Sequence, residues 1–233
     1  MKLTYDLHIH SCLSPCGDED MTPNNIVNMA FVKGLDIISI TDHNACNHVR
    51  IASEIADSLG ILLIPGMEVQ TREEVHILCY FPTLEAIEDF DEKLTPLKSK
   101  IPNRIDKFGH QTIRDITDSV IGEYQEALIM SVDISLEDLK ALVDSFQGVI
   151  VPAHVNKSSN SILVNLGFIP SDLNVKCVEI YEKSELNELF VRNFIKLYNS
   201  DAHYLQYLNE PINCLELKDK TCTALIDYLS GKG

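Results

Sequence analysis

The sequence predicts an α/β fold, built as a small barrel in one domain. Three observations carry this. Short apolar runs alternate with segments of helical periodicity, which is the βαβα pattern. Six or seven such units fit within 233 residues, and a single α/β barrel reaches about 250. Polar residues, histidine above all, directly follow the apolar runs, as they do at the C-terminal rim of a barrel.

Leu3–Ile9 reads as the first strand. Thr22 then caps a helix that has Pro23 in its first turn and ends at Lys33, where Gly34 stops it. Asp36–Ile40 is a buried strand, Asn47–Leu59 a helix closed by Gly60, and Ile61–Ile64 a third strand. Val75–Phe81 is a fourth strand and Thr83–Lys98 an acidic amphipathic helix. Residues 99–134 are polar and poorly patterned. They read as a helix plus a small hairpin inserted into the single domain, residues 1–233. Ser135-Leu-Glu-Asp138 caps a helix reaching Phe146. Gly148–Pro152 is a strand, Ser161–Leu166 a short helix, Cys177–Ile180 a short strand and Ser184–Leu197 a helix. Cys214–Leu217 and Lys220–Leu229 are the last strand and the last helix.

Composition excludes several functions. Nineteen Lys+Arg stand against 35 Asp+Glu, a formal charge of −16. Such a surface disfavours long nucleic acid and anionic membranes. It still admits a small phosphorylated substrate, because bound cations reverse the local sign. No apolar run approaches the 18 residues that a membrane helix needs, and the polar break in Met1-Lys-Leu-Thr-Tyr-Asp6 comes too early for a signal peptide. The seven cysteines form no C-x-x-C pair. Free thiols in a reducing cytoplasm is the expectation.

The histidines carry the chemistry. His8 and His10 lie two residues apart at the end of the first strand, so they share a face. His43 follows the second strand and Glu68 the third. His154 follows the strand near 150, and Asp201 and His203 repeat the two-residue spacing. Only seven residues separate Glu68 from His76, whereas a parallel crossover needs about a dozen. A tight reversal at Thr71-Arg72-Glu73 would therefore return His76 beside Glu68. A lone His at a strand end is usually just a satisfied polar residue. Here that reading must be invoked for six of eight histidines, and joint coincidence is a poor explanation. His48 and His110 follow no strand and read as structural, although His48 lies close enough to Thr41–Asn44 to line a substrate pocket. A His, Asp and Glu cluster selects Mn, Fe or Zn. So many ligands exceed the needs of one ion, which implies two or three divalent ions.

The segments Asp6-Leu-His-Ile-His-Ser11, Ile40-Thr-Asp-His-Asn44, Gly66-Met-Glu68, Pro152-Ala-His154 and Ser200-Asp-Ala-His203 resemble the motifs of the PHP (polymerase and histidinol phosphatase) superfamily. The resemblance implies a distorted (β/α)7 barrel with a trinuclear metal centre. It assigns His8, His10, Glu68 and Asp201 to one ion, and Glu68, His76 and His154 to a second. It assigns His43, His203 and an early Asp or His to a third. Similar small phosphoesterases carry Ser-Asp-Gly about five residues before the Pro that opens the helix, and counting back from Pro23 makes that residue Asp18, with Asp20 and Glu19 as alternatives. Cys12 and Cys16 in the same segment read as packed free thiols.

The reaction so implied is attack of a metal-bridging hydroxide on a phosphoester. The substrate would be a nucleotide, a sugar phosphate or a short oligonucleotide end. His8, His10, Glu68, His154, Asp201 and His203 would be the catalytic set. Lys157, where related phosphoesterases carry a basic residue, would contact the substrate phosphate, with Arg72 and His48 as further candidates. Two other readings compete. An amidohydrolase-type C–N hydrolase would need a strand-end lysine bridging two metals, and none is seen. A non-enzymatic metal-bearing regulatory module would show a broken ligand set.

Overall fold

A computed structural model describes residues 1–181 and 184–232. Its centre is β1 (Lys2–Ile9), most of whose residues are buried. Strand β1 pairs in parallel with β2 (Ile37–Ile40), and β2 pairs in parallel with the two-residue β3 (Leu62–Leu63). Between them run α1 (Pro23–Lys33) and α2 (Val49–Leu59). The Thr22 side chain accepts from Asn25 N, and Gly34 closes α1 at φ 79°. That is the left-handed geometry glycine adopts without steric cost. The helix expected from Asn47 starts two residues later, with His48 at its N-cap.

After β3 the chain turns at Pro65 into β4 (Gly66–Gln70), which reverses into β5 (His76–Tyr80). Gln70 pairs with His76 and Glu68 with Leu78, so this is the expected tight reversal. A Cβ on Gly66 would lie 2.3 Å from Ser39 Oγ, so only glycine lets β4 approach β2 this closely. Next comes α3 (Leu84–Leu94), capped by Thr83. It ends four residues before the expected Lys98, at a single 3₁₀ turn holding Pro96.

Residues 99–134 form one helical turn, α4 (Ile105–Phe108), and a hairpin of β6 (Thr112–Arg114) and β7 (Val120–Glu123). Gly109, at φ 100°, presses this segment onto the Pro15 carbonyl, which a Cβ would meet at 2.2 Å. Both the backbone angle and the close approach demand glycine. Gly109→Ala should therefore lower unfolding free energy by about 1–3 kcal/mol, read as a reduced urea midpoint at unchanged slope.

Helix α5 (Leu136–Ser145) leads to β8 (Val149–Pro152), which lies antiparallel to β5. One turn, α6 (Ile162–Asn165), precedes β9 (Cys177–Glu179). The helix expected over Ser184–Leu197 is a single turn, α7 (Glu188–Val191), followed by strand β10 (Ile195–Leu197) parallel to β9. The apolar spacing of this segment imitates a helix, but Leu189 and Phe190 face solvent. The buried Leu197 is taken by strand pairing with Glu179, a partner that local periodicity cannot reveal. Strand β11 (Cys214–Glu216) pairs antiparallel with the start of β1, and α8 (Cys222–Leu229) ends the described chain.

Among the described residues the ladders form four separate sheets, not a closed barrel. The antiparallel β4–β5–β8 unit and the antiparallel β11 depart from an all-parallel (β/α)7 arrangement. Single parallel bridges pair Ile9 with Ala202 and His43 with Glu68 at the end where the histidines gather. No helix among the described residues is long and apolar enough to cross a membrane. The seven cysteines are free.

Candidate metal centre

Strand ends and hairpin geometry bring the histidines together. Glu68 is buried at the centre. Its carboxylate oxygens lie 3.0 Å from His43 Nδ1 and His76 Nδ1, 3.3 Å from His154 Nε2, and 3.4 Å from His8 Nε2 and His10 Nε2. Asp201 Oδ1 lies 3.4 Å from His8 Nε2 and 3.3 Å from His10 Nε2. His203 sits at the rim, its ring 4.4 Å from that of His10. His154 (φ 27°) and Asp201 (φ 51°) hold left-handed backbone angles. Non-glycine residues adopt these only where the surroundings impose them, at a cost of about 1–3 kcal/mol each.

Nearness here is not hydrogen bonding. Both Glu68 oxygens, His43 Nδ1, His76 Nδ1 and His154 Nδ1 are buried and make no hydrogen bond. Orphaned buried polar groups cost about 1–3 kcal/mol each, so several at one point call for an absent partner. Four groups of ligand atoms lie within 4.8 Å of one another: His8, His10 and Asp201; His10, His43 and Glu68; Glu68, His76 and His154; and His10, Cys16 and His203. Imidazole and carboxylate donors in this number suit Zn, Mn or Fe ions. Glu68 belongs to two groups, as a bridging carboxylate would.

The crowded groups shift one another's proton affinity in both directions. Burial alone would raise the Glu68 carboxyl, but the His76, His8 and His43 imidazoles hold it well below the usual carboxylate range. Burial, with His203 and His43 nearby, pushes His10 well below the ordinary imidazole value, towards the neutral form that binds metal. Burial also works against a charge on His8, but Glu179, Glu68 and Asp201 override it and raise its pKa.

A supporting layer fixes the rings, and sequence reasoning missed it. His8 Nδ1 lies 3.0 Å from both oxygens of the buried Glu179. That carboxylate also accepts from Asn199 Nδ2 at 2.7 Å and from His154 N at 2.8 Å. His10 Nδ1 lies 3.0 Å from Ser14 Oγ, which donates to Asp42 Oδ1 at 2.6 Å. His203 Nδ1 donates to the Asp201 carbonyl at 2.8 Å. In each case Nδ1 is engaged and Nε2 is left for the cluster. Asp6 receives Ser200 N at 3.0 Å and Asn209 N at 2.9 Å, anchoring the loop that carries Asp201. Burial pushes its carboxyl up to about 6 despite these bonds. The only sequence trace of Glu179 is an acidic residue inside the apolar Cys177–Ile180 run.

Asp18, its alternatives Asp20 and Glu19, Arg72 and His48 lie elsewhere. Asp18 accepts from Asp20 N at 3.0 Å and joins no ligand group among the described residues. Asp20 is exposed, and Glu19 Oε2 pairs with Arg114 at 3.0 Å. Cys16, read from sequence as a packed thiol, stands beside His10 and His203 instead. Burial would raise its pKa, but His43 and His203 lower it to about 6. Arg72 is exposed and pairs with Asp133 at 2.8 Å. His48 is buried away from the cluster, with Nδ1 2.7 Å from Ser11 Oγ and Nε2 accepting from Arg114 N at 2.9 Å. It ties the β6–β7 hairpin to the core. Lys157 does reach the cluster. It pairs with Asp201, and Nζ lies 4.8 Å from the Tyr181 ring centre. A cleft of about 70 Å³ opens over Glu68, flanked by Lys157, Ser159 and Asn160.

The PHP domain model matches residues 6–144 of this chain. The chain belongs to the PHP domain family. Relatives of this PHP domain protein cover it unevenly. An uncharacterized protein of Methanocaldococcus jannaschii is 29% identical over 168 residues, 72% of this chain and 18% of that protein. A 5'-3' exoribonuclease of Haemophilus influenzae is 33% identical over 81 residues, 34% of this chain and 28% of that enzyme. The fold is similar to that of a lesion-specific endonuclease from Pyrococcus furiosus, with a TM-score of 0.73 at 20% identity, covering 100% of this chain and 57% of that one. The chain thus spans well under two thirds of each of these proteins.

Proposed function

We propose that this PHP domain protein is a metal-dependent phosphoesterase, with two or three divalent ions of Mn, Fe or Zn held by His8, His10, His43, Glu68, His76, His154, Asp201 and His203. The observation that carries the reading is buried Glu68, whose unpartnered oxygens face five imidazoles at 3.0–3.4 Å. When bound, such ions act as Lewis acids on a phosphoryl group and acidify a water at neutral pH. The chain's own residues do the rest. Glu68 and Asp201 supply fixed negative charge. Glu179, Ser14 and the Asp201 carbonyl hold three of the rings in a metal-binding tautomer. Lys157 supplies a cation for the substrate phosphate.

The substrate class we propose is a phosphoester at the end of a nucleotide or short oligonucleotide. The cleft that Lys157, Ser159 and Asn160 flank over Glu68 is narrow, which suits a phosphoryl group presented end-on. The net charge of −16 opposes a long contact with a strand. Two similar proteins, a 5'-3' exoribonuclease and an endonuclease, are named for action on nucleic acids, which supports a nucleic-acid phosphoester ahead of a sugar phosphate. The test is metal reconstitution with Mn²⁺, Fe²⁺ or Zn²⁺, followed by a panel of phosphomonoesters and end-labelled short oligonucleotides. Release of phosphate or terminal nucleotide is expected. Inertness on the whole panel with every metal would sink the reading.

Lys157 separates binding from chemistry. An ammonium beside a phosphate attracts it in ground and transition states alike. Lys157→Ala should raise KM more than it lowers kcat, with the ions retained. The loss in kcat/KM should be about 5- to 150-fold, the equivalent of about 1–3 kcal/mol for a charge-assisted hydrogen bond. An unchanged KM on every hydrolysed substrate would return Lys157 to a structural role as the partner of Asp201.

A further inference from the structure

We infer that Cys16 is a thiolate ligand of the outermost metal ion, together with imidazoles from the His10, His43 and His203 cluster, in the place where Asp18 was expected. The inference rests on the metal-centre reading above and goes beyond it in naming a sulfur donor.

The loop geometry decides which residue reaches the cluster. Ser14 N donates to Ser11 O at 3.1 Å and Gly17 N to Ser14 O at 2.9 Å, so residues 11–17 wind through two successive turns. A Cβ on Gly17 would lie 2.2 Å from Ser11 O, so the winding needs glycine there. Asp18 N then donates to His203 O at 3.0 Å, stapling this loop to the loop that carries His203. That bond uses the Asp18 backbone, and its side chain turns to Asp20 N. Cys16 is left over the cluster, its sulfur within 4.8 Å of ring nitrogens of both His10 and His203.

Two further observations point to a ligand. Buried His43, whose ring is 4.6 Å from that of His10, brings a third imidazole to this side of the cluster, with its Nδ1 turned to Glu68 at 3.0 Å. His203 commits Nδ1 to the Asp201 carbonyl, which leaves its Nε2 unengaged by that bond. Cys16 also differs from the cysteines that serve as core. Cys79 and Cys177 are buried among apolar side chains, whereas Cys16 is exposed and meets imidazoles. A free cysteine used only for packing is a small buried hydrophobe. A sulfur among imidazoles is a soft donor set and favours Zn or Fe over Mn at that position.

The test is cobalt(II) titration of the full chain freed of metal. Wild type should bind two or three ions and show a near-ultraviolet sulfur-to-cobalt charge-transfer band. Cys16→Ser should lose the band and one ion per chain, with its circular dichroism intact. Cys16→Asp should regain the ion without the band, and Cys214→Ser should keep both. Zinc should shield Cys16 from iodoacetamide. A full cobalt count with no charge-transfer band in wild type, or a band that persists in Cys16→Ser, overturns the thiolate ligand and leaves the metal centre standing. Failure of wild type to bind cobalt at all would overturn the metal reading itself. Shielding lost while ion count is unchanged in Cys16→Ser would mark Cys16 as a reactive thiol beside the centre and likewise overturn its ligation.

Discussion

Glu68→Gln is expected to remove metal and activity together. The substitution keeps size and shape but removes the charge to which five imidazole nitrogens converge at 3.0–3.4 Å. A neutral amide presents one weak acceptor and one donor. The donor would face the bound cations, which repel it. Two ligand groups share Glu68, so one change weakens both. We expect a loss of at least one ion per chain by elemental analysis. Turnover of any hydrolysed phosphoester should fall by about 1,000-fold or more, the equivalent of about 4 kcal/mol and of the order a metal contributes to transition-state stabilisation. His110→Ala is the matched control. That ring is half-exposed on the insertion and pairs with Glu123 at 2.8 Å, so both readouts should stay unchanged. Full metal load and turnover in Glu68→Gln would remove Glu68 from the ligand set.

Much of this architecture is legible in the chain because its signals are local. The i, i+2 spacing of His8 and His10 fixes a common face once β1 is recognised. The short interval from Glu68 to His76 permits only a reversal, and the β4–β5 pairing has that form. Thr22, Gly34, Ser135 and Gly60 mark helix ends by cap chemistry that needs no tertiary partner. What escapes is non-local. The 184–197 segment has helical spacing, yet its end is captured by β9. Closure of a barrel depends on ladder formation between distant strands, and the antiparallel β8 and β11 break the parallel pattern. The misplacement of Asp18 has the same origin. Counting from Pro23 assumes a loop of ordinary path, whereas two tight turns and the staple to His203 O shift Cys16 into reach. Glu179 was invisible because three donors from three remote segments, His8, His154 and Asn199, give it its role.

That role yields the second large effect. Glu179 is buried, and as a carboxylate it accepts from every group around it: His8 Nδ1, Asn199 Nδ2 and His154 N. The His8, His154 and Asn199 contacts leave little room for a donor. In Glu179→Gln one oxygen becomes an NH₂ group. If the NH₂ faces His154 N or Asn199 Nδ2, two donors collide. If it faces His8, the imidazole must accept at Nδ1 and carry its proton on Nε2, the atom turned towards Glu68 and Asp201. A protonated Nε2 cannot bind metal. Each arrangement therefore costs either stability or ligation. We expect metal affinity to fall about 10- to 100-fold, the range for loss of a partner that orients a ligand histidine. Unfolding free energy of the metal-free protein should fall by about 1–3 kcal/mol, the cost of a buried unsatisfied polar group. Chelator competition reads the first and urea denaturation the second. A stability loss with unchanged metal affinity would make Glu179 a purely structural clamp between β1, β8 and β9, and would show that the His8 tautomer is set by the metal alone.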